Sequence, residues 1–154
     1  MVYFNFEEGI WCSKGKKFQT IEEASEHETR KKSGRRFLNE VDGQYYRSRW
    51  EITTANALRE SGIDFLYEPK RFVFSHKHKE TYLPDFYLPQ FDCWIEVKGF
   101  MDKRSTKRLS LFSQEFSNEK LVLVMADEIE RLKTNPRSIV WVLYEQGVEL
   151  DELF

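Results

Sequence analysis

Cysteine is scarce in this chain and isolated where it occurs. Cys12 and Cys93 are the only two among 154 residues, with no CxxC and no Cys/His spacing around them. That argues against a structural zinc site and for a reducing compartment. Long apolar runs are missing as well: nothing approaches the roughly 18 residues that a membrane span needs. The opening "MVYFNFEEGIWCSKG" lacks the charged-then-apolar order of a signal peptide, so the cytoplasm is the expected compartment. There is no internal repeat and no low-complexity tract. Ser110 and Cys93 lack any His/Asp partner arrangement, which counts against covalent nucleophilic catalysis. Neither sign of charge dominates, with 24 Lys and Arg against 26 Asp and Glu, so the net charge names no partner.

What the chain does have is aromatic mass, 16% of its residues, within one domain's worth of length. About two-thirds of the unfolded surface can be buried around one core. Its charge is also unevenly placed. Between positions 30 and 49 stand Arg30, Lys31, Lys32, Arg35, Arg36, Arg47 and Arg49 against only Glu40 and Asp42. Between 98 and 108 stand Lys98, Lys103, Arg104, Lys107 and Arg108 against Asp102. The last ten residues hold Glu145, Glu149, Asp151 and Glu152 and no cation. A basic stripe on an otherwise acidic chain is the footprint of a polyanion binder, and equally the pattern of a solvated face.

Residues 1–44 read as an N-terminal appendage with a basic arm, and residues 45–154 as the core domain. Thr20 with Glu23 is a capping-box pattern, which predicts a helix from about Ile21, and Gly34 breaks order after it. "YYRSRWEITTANALRESG" reads as a helix: Tyr46, Trp50, Thr54, Ala57, Leu58 and Ser61 form one stripe, and Gly62 stops it. Residues 72–98 read as an antiparallel meander that includes "DFYL" and "CWIEVK". "STKRLSLFSQEF" is helical, "KLVLVMA" a buried parallel strand, "DEIERLK" a short helix and "SIVWVLY" a last strand. This order predicts an α/β fold, helices flanking a central mixed sheet.

The stretch "YLPDFYLPQFDCWIEVKG" carries the chemistry. It looks like sheet core, yet holds Asp85, Glu96 and Lys98. Strand alternation puts Trp94, Glu96 and Lys98 on one face of "CWIEVK". Pro84 cannot donate to a ladder and belongs at a strand entrance, so Asp85 begins the neighbouring strand. The four-residue connection brings Asp85 and Glu96 towards one end of the hairpin. Two adjacent carboxylates raise each other's pKa unless a cation lies between them. A hard divalent ion such as Mg²⁺ suits this oxygen set, with water and substrate phosphate completing it. Lys98 would orient or deprotonate the attacking water and stabilise charge on the phosphate. His76 and His78 share a turn without a third ligand and read as exposed loop histidines; His27 reads as structural.

Pro84-Asp85, ten residues, then Glu96-Val97-Lys98 resembles the PD-(D/E)xK signature of the restriction-endonuclease-like nucleases. The run "LPDFYLP…WIEVKGFMDKRSTKR" looks especially like phage endonucleases, including the junction-resolving endonuclease I type. The resemblance covers about residues 45–126. It implies a restriction-endonuclease-like core and a Mg²⁺-dependent DNA endonuclease, with Mn²⁺ substituting, that leaves 5′-phosphate and 3′-hydroxyl ends. Asp85, Glu96 and the backbone carbonyl of Val97 would bind the metal, and Lys98 would be the catalytic lysine. Glu51, on the preceding helix, would bind or tune the metal through water; the plainer reading makes it an exposed helix glutamate.

Lys103, Arg104, Lys107 and Arg108 share one helix face and read as phosphate contacts, with Arg35, Arg36, Arg47 and Arg49 as further DNA contacts. If phage-encoded, the protein would work in the bacterial cytoplasm. A homodimer is expected, because one site cuts one strand. Two other readings stand beside this one: a catalytic subunit of a larger DNA-processing complex, for transposition or packaging, that is inactive alone, and a non-catalytic DNA-binding module on the same fold. The preferred DNA structure, the number of metal ions and the roles of residues 1–44 and the acidic tail stay open.

Overall fold

A computed structural model describes residues 2–5, 9–13, 16–20, 36–75 and 80–153. The chain divides into two compact units, Met1–Ser48 and Arg49–Phe154. In the first, β1 (Val2–Asn5), β2 (Ile10–Ser13) and β3 (Lys16–Phe18) form an antiparallel sheet. A second ribbon pairs β4 (Phe37–Leu38) with β5 (Tyr45–Tyr46). Its turn needs Gly43, whose φ of +72° lies in the left-handed region open to glycine. Asp42 braces the turn by accepting from the Tyr46 hydroxyl at 2.7 Å. Arg36 and Arg47 are exposed in this unit. The helix expected from Ile21, the break at Gly34, the arm from Arg30 to Arg35, His27, His76 and His78 lie outside the described residues.

The second unit is mixed α/β. Four strands run in the order β11-β10-β9-β6: β6 (Leu66–Tyr67), β9 (Phe86–Leu88), β10 (Cys93–Val97) and β11 (Lys120–Val124). β9 is antiparallel to β10 and β6, and β10 is parallel to β11, so the sheet is mixed. Four α-helices occur among the described residues: α1 (Arg49–Glu60), α2 (Lys103–Glu115), α3 (Ala126–Thr134) and α4 (Ile139–Glu145).

The two sheet faces have different linings. Ile95, Val122 and Val124 are fully buried on one, together with Leu58 of α1, Ile129 and Leu132 of α3, and Ile139 and Leu143 of α4. On the other, Trp94 lies against Tyr87 at 4.6 Å with the rings tilted by 40° and meets Phe72 edge-on at 5.1 Å, while Phe72 meets Phe112 of α2 edge-on at 4.9 Å. Edge-to-face pairs of this kind add stability beyond their buried area. The open edge of β11 is blunted by Gln146, whose side-chain amide accepts from the Leu123 N–H and donates to its C=O, at 2.8 and 2.7 Å.

Three expectations change. The helix begins at Arg49, and Tyr46 belongs to β5. The buried stripe is therefore Glu51, Thr54, Ala55, Ala57 and Leu58, which puts Glu51 on the inner face. Residues 72–98 are not one meander: among the described residues β7 (Phe72–Val73) pairs with β8 (Thr81–Tyr82) alone, as a separate ribbon. Pro84 has no N–H to continue a ladder, so pairing starts afresh behind it. Finally, "SIVWVLY" is helical. Pro136 opens a short 3₁₀ turn (Pro136–Ser138), and Ile139, Val142 and Leu143 then face inward while Trp141 and Tyr144 face water. That spacing has period 3.6, but the β-branched content hid it.

Candidate active site

The β9–β10 hairpin brings the two central carboxylates together. Leu88 pairs with Cys93, Tyr87 with Trp94 and Phe86 with Ile95. One step further on, the Asp85 N–H donates to the Ile95 carbonyl at 3.1 Å. The Asp85 carboxylate then accepts from the Val97 N–H at 2.7 Å. A side chain thus completes the ladder that Pro84 interrupts, and Asp85 is locked against the strand that carries Glu96. Its own carbonyl accepts from the Glu68 N–H at 2.8 Å. Glu68 sits at φ +47°, a left-handed conformation that costs a non-glycine residue about 1 kcal/mol or more.

Each of the other two carboxylates has a tyrosine. The Tyr82 hydroxyl donates to Glu96 at 2.7 Å. The Tyr67 hydroxyl donates to Glu51 at 2.5 Å. Glu51 is 6% exposed and Asp85 8%, so the structure places Glu51 inside rather than on an exposed helix face. It comes from α1 on the aliphatic side of the sheet, whereas Glu96 shares its face with Trp94 on the aromatic side. The site therefore lies at the rim where the two faces meet.

Its electrostatics follow from burial. Desolvation, then the negative charges of Glu96 and Glu51, push the Asp85 carboxyl well above the usual range, against the opposing Val97 hydrogen bond. Burial pushes Glu96 up to about 7, although the Tyr82 hydroxyl, Lys98 and Arg108 all favour its charged form. Tyr82 is held as a neutral phenol by burial and by the Glu96 charge beside it. Three carboxylates that repel one another in a desolvated rim are a poor arrangement on their own; a cation relieves it.

Lys98 and Arg108 supply part of that positive charge. With Tyr82, Glu96, Ser105 and Leu109 they line a narrow cleft of about 10 Å³ between the end of β10 and the first turns of α2, about the room of one water. Asp102 caps α2, its carboxylate accepting from the Ser105 N–H at 2.7 Å. Those hydrogen bonds hold its carboxyl below the usual value. Lys103, Arg104 and Lys107 are exposed on the first two turns, while Arg108 is half-buried and turned into the cleft. Arg49 is exposed at the start of α1.

The donor set suits a small hard cation. Among the described residues no three His, Cys, Asp or Glu side chains form a complete ligand group by themselves. Asp85 and Glu96 would need a backbone oxygen, water or a substrate phosphate to finish the shell, which is the usual way Mg²⁺ is held. Val97, whose N–H is committed to Asp85, is the last residue of β10. A larger apolar groove of about 380 Å³, lined by Val140, Trp141, Tyr144 and Leu150, lies at α4. It has no titratable cluster, so size does not mark the site here.

The hairpin brings Asp85, Glu96 and Lys98 to the sheet end that the sequence indicated, with Glu51 within electrostatic reach. Tyr67, Glu68 and Tyr82 were missed, because each reaches the site through pairing of short strands that no periodicity reveals. No helix among the described residues is long and apolar enough to cross a membrane. No family model, no curated protein and no solved structure matches this chain.

Proposed function

We propose that this chain is a divalent-metal-dependent DNA endonuclease built on a restriction-endonuclease-like core. The observation that carries the reading is the locked hairpin end. Asp85, at the entrance of β9, and Glu96, on β10, are both driven towards protonation, Asp85 by burial and the charges of Glu96 and Glu51, Glu96 by burial and the charge of Glu51, and Lys98 and Arg108 share the cleft with Glu96. Strongly perturbed titratable groups converging at a cleft are what catalytic sites require.

Asp85, Glu96 and the Val97 carbonyl would hold Mg²⁺ or Mn²⁺, with Glu51 acting through water. The cation, when bound, would supply charge neutralisation and a more acidic water. The remaining work belongs to the chain. Lys98 places an ammonium beside Glu96, where it orients a water and stabilises charge that develops on the phosphate. Arg108, half-buried and lining the cleft with Glu96 and Lys98, offers a planar fork to a phosphate that docks over it. Lys103, Arg104 and Lys107 contact flanking phosphates without reading sequence; Arg36, Arg47 and Arg49 are further candidates. Tyr67 and Tyr82 keep Glu51 and Glu96 in single orientations. A homodimer, or a place in a larger DNA-processing complex, would supply the second cut that a duplex needs.

The test is cleavage of supercoiled plasmid and of a four-way junction with Mg²⁺, Mn²⁺ or EDTA, wild type beside Asp85→Ala and Lys98→Ala. Metal-dependent cutting that both substitutions abolish supports the reading. Cutting that survives both, or persists in EDTA, overturns it.

A further inference from the structure

Phe100 has no place in the chemistry just described, yet at 76% exposure it is the most exposed of the large apolar side chains in the described residues. It stands two residues beyond Lys98 and three before Lys103, on the link of residues 98–102 that joins the site end of β10 to the basic start of α2. Both ends of this link are held. At Gly99 an added Cβ would lie 3.3 Å from the Trp50 ring, so the link packs closely against that side chain of α1. At the other end Asp102 is committed to capping α2. Met101 is half-buried between them. The ring of Phe100 is thus presented to solvent from a short link anchored at both ends.

Leaving a phenyl ring in water forgoes the stabilisation its burial would bring. A surface that would cover it here must be apolar and must also tolerate the cations that flank it in the chain, Lys98 before it and Lys103, Arg104 and Lys107 on the helix after it. The face of a nucleobase within a phosphate backbone meets both conditions. Apolar wedges open base steps in this way, and aromatic side chains stack on unpaired bases. We propose that Phe100 stacks on or wedges between bases next to the cleavage site, and that the protein thereby selects DNA whose stacking is already weakened, at a mismatch, branch or single-stranded gap. The proposal rests on the nuclease reading for its consequence but not for its contact. An anionic lipid surface also pairs apolar with negative groups. One exposed ring on a short link, with Met101 beside it half-buried, gives a lipid surface little apolar area but gives a base a full face, which favours the nucleic acid.

The test has a binding arm and a cleavage arm. Glu96→Gln protein is mixed with a duplex carrying 2-aminopurine beside a single mismatch, and fluorescence is followed without any cutting. Disturbed stacking gives an increase that Glu96→Gln/Phe100→Ala loses and Glu96→Gln/Phe100→Trp keeps. In the cleavage arm Phe100→Ala lowers cutting of mismatched or branched DNA by about tenfold, and that of fully paired DNA by less. Fluorescence unaltered by Phe100→Ala overturns the proposal, even if the enzyme cuts DNA. Binding of Phe100→Ala that is impaired only on phosphatidylserine vesicles, and not on DNA, overturns it in favour of a membrane contact. Fluorescence lost in Phe100→Ala, from a protein that never cuts, upholds the base contact while the nuclease reading falls.

Discussion

The two faces of the central sheet are closed by different means, and the site lies where the two closures fail to meet. The aliphatic face has Ile95, Val122 and Val124 fully buried, with α1 against β10, α3 against β11 and α4 packed on those two helices. The aromatic face has one helix and a two-stranded ribbon, and Tyr87, Leu109, Phe116 and Leu121 stay only partly covered. Aliphatic side chains from several helices interdigitate to the end of the sheet, as close-packed interiors do. Rings on a single helix leave gaps, and at the Glu96–Lys98 end the gap is a polar cleft. A carboxylate buried under the aliphatic helices would have no route to water or phosphate. Glu51, which does come from that side, reaches the rim only because it sits in the first turn of α1.

The largest effects should come from the carboxylates at the rim. Asp85→Asn and Glu96→Gln should each lower metal-dependent cleavage by about a thousandfold, measured as initial nicking rates. They should also leave the apo fold as stable as wild type or more so at neutral pH, since each removes a buried charge that its neighbours repel. A parallel loss of stability would show that these residues are structural.

Next in size is a substitution under the sealed face. Leu143→Ala should cost about 3 kcal/mol of unfolding free energy in urea, whereas Phe116→Ala, on the loosely covered face, should cost distinctly less. Equal costs would mean that the two faces are packed alike.

A pH series sharpens the contrast within the site. Glu96 titrates near 7 in the folded protein against an ordinary value of 4.5, so the folded state holds its proton more tightly than the unfolded chain. Its contribution must therefore fall as pH rises from 4.5 to 7 and level off above that, by about 3 kcal/mol at most. Asp85 acts in the same direction. Glu96→Gln should flatten this part of the curve, and saturating Mg²⁺ should raise wild-type stability on its alkaline side. Tyr82→Phe removes a hydrogen bond that favours the Glu96 anion, so it should move the acidic limb of the activity profile upward and lower activity by about tenfold at neutral pH. The smallest effects belong to the outer cations. Alanine at Lys103, Arg104 or Lys107 should reduce the slope of log affinity against log salt by about one each, with similar loss on every DNA sequence.

The parts of this structure that were legible in the sequence are those written in local pattern. The parallel strand 120–124 shows as a continuous apolar run, and the hairpin at 86–97 shows in its alternation and in the Pro84 boundary. That was enough to bring Asp85 and Glu96 together. Where pattern and propensity disagreed, propensity misled: Ile139, Val140 and Val142 favour strands, but the helix is set by Pro136 and by the burial of Ile139, Val142 and Leu143. The tyrosines at 67 and 82 were not legible, because two-residue strands have no period and their partners lie 16 and 14 positions away.

The proposed activity requires that the rim bind a divalent cation. Titrating Mn²⁺ into the apo protein and following the free ion by electron paramagnetic resonance would settle this without any substrate. Wild type should take up Mn²⁺ in competition with Mg²⁺, and Asp85→Asn/Glu96→Gln should lose that uptake while still unfolding cooperatively. Mn²⁺ uptake that is the same in the double variant as in wild type would contradict the assignment.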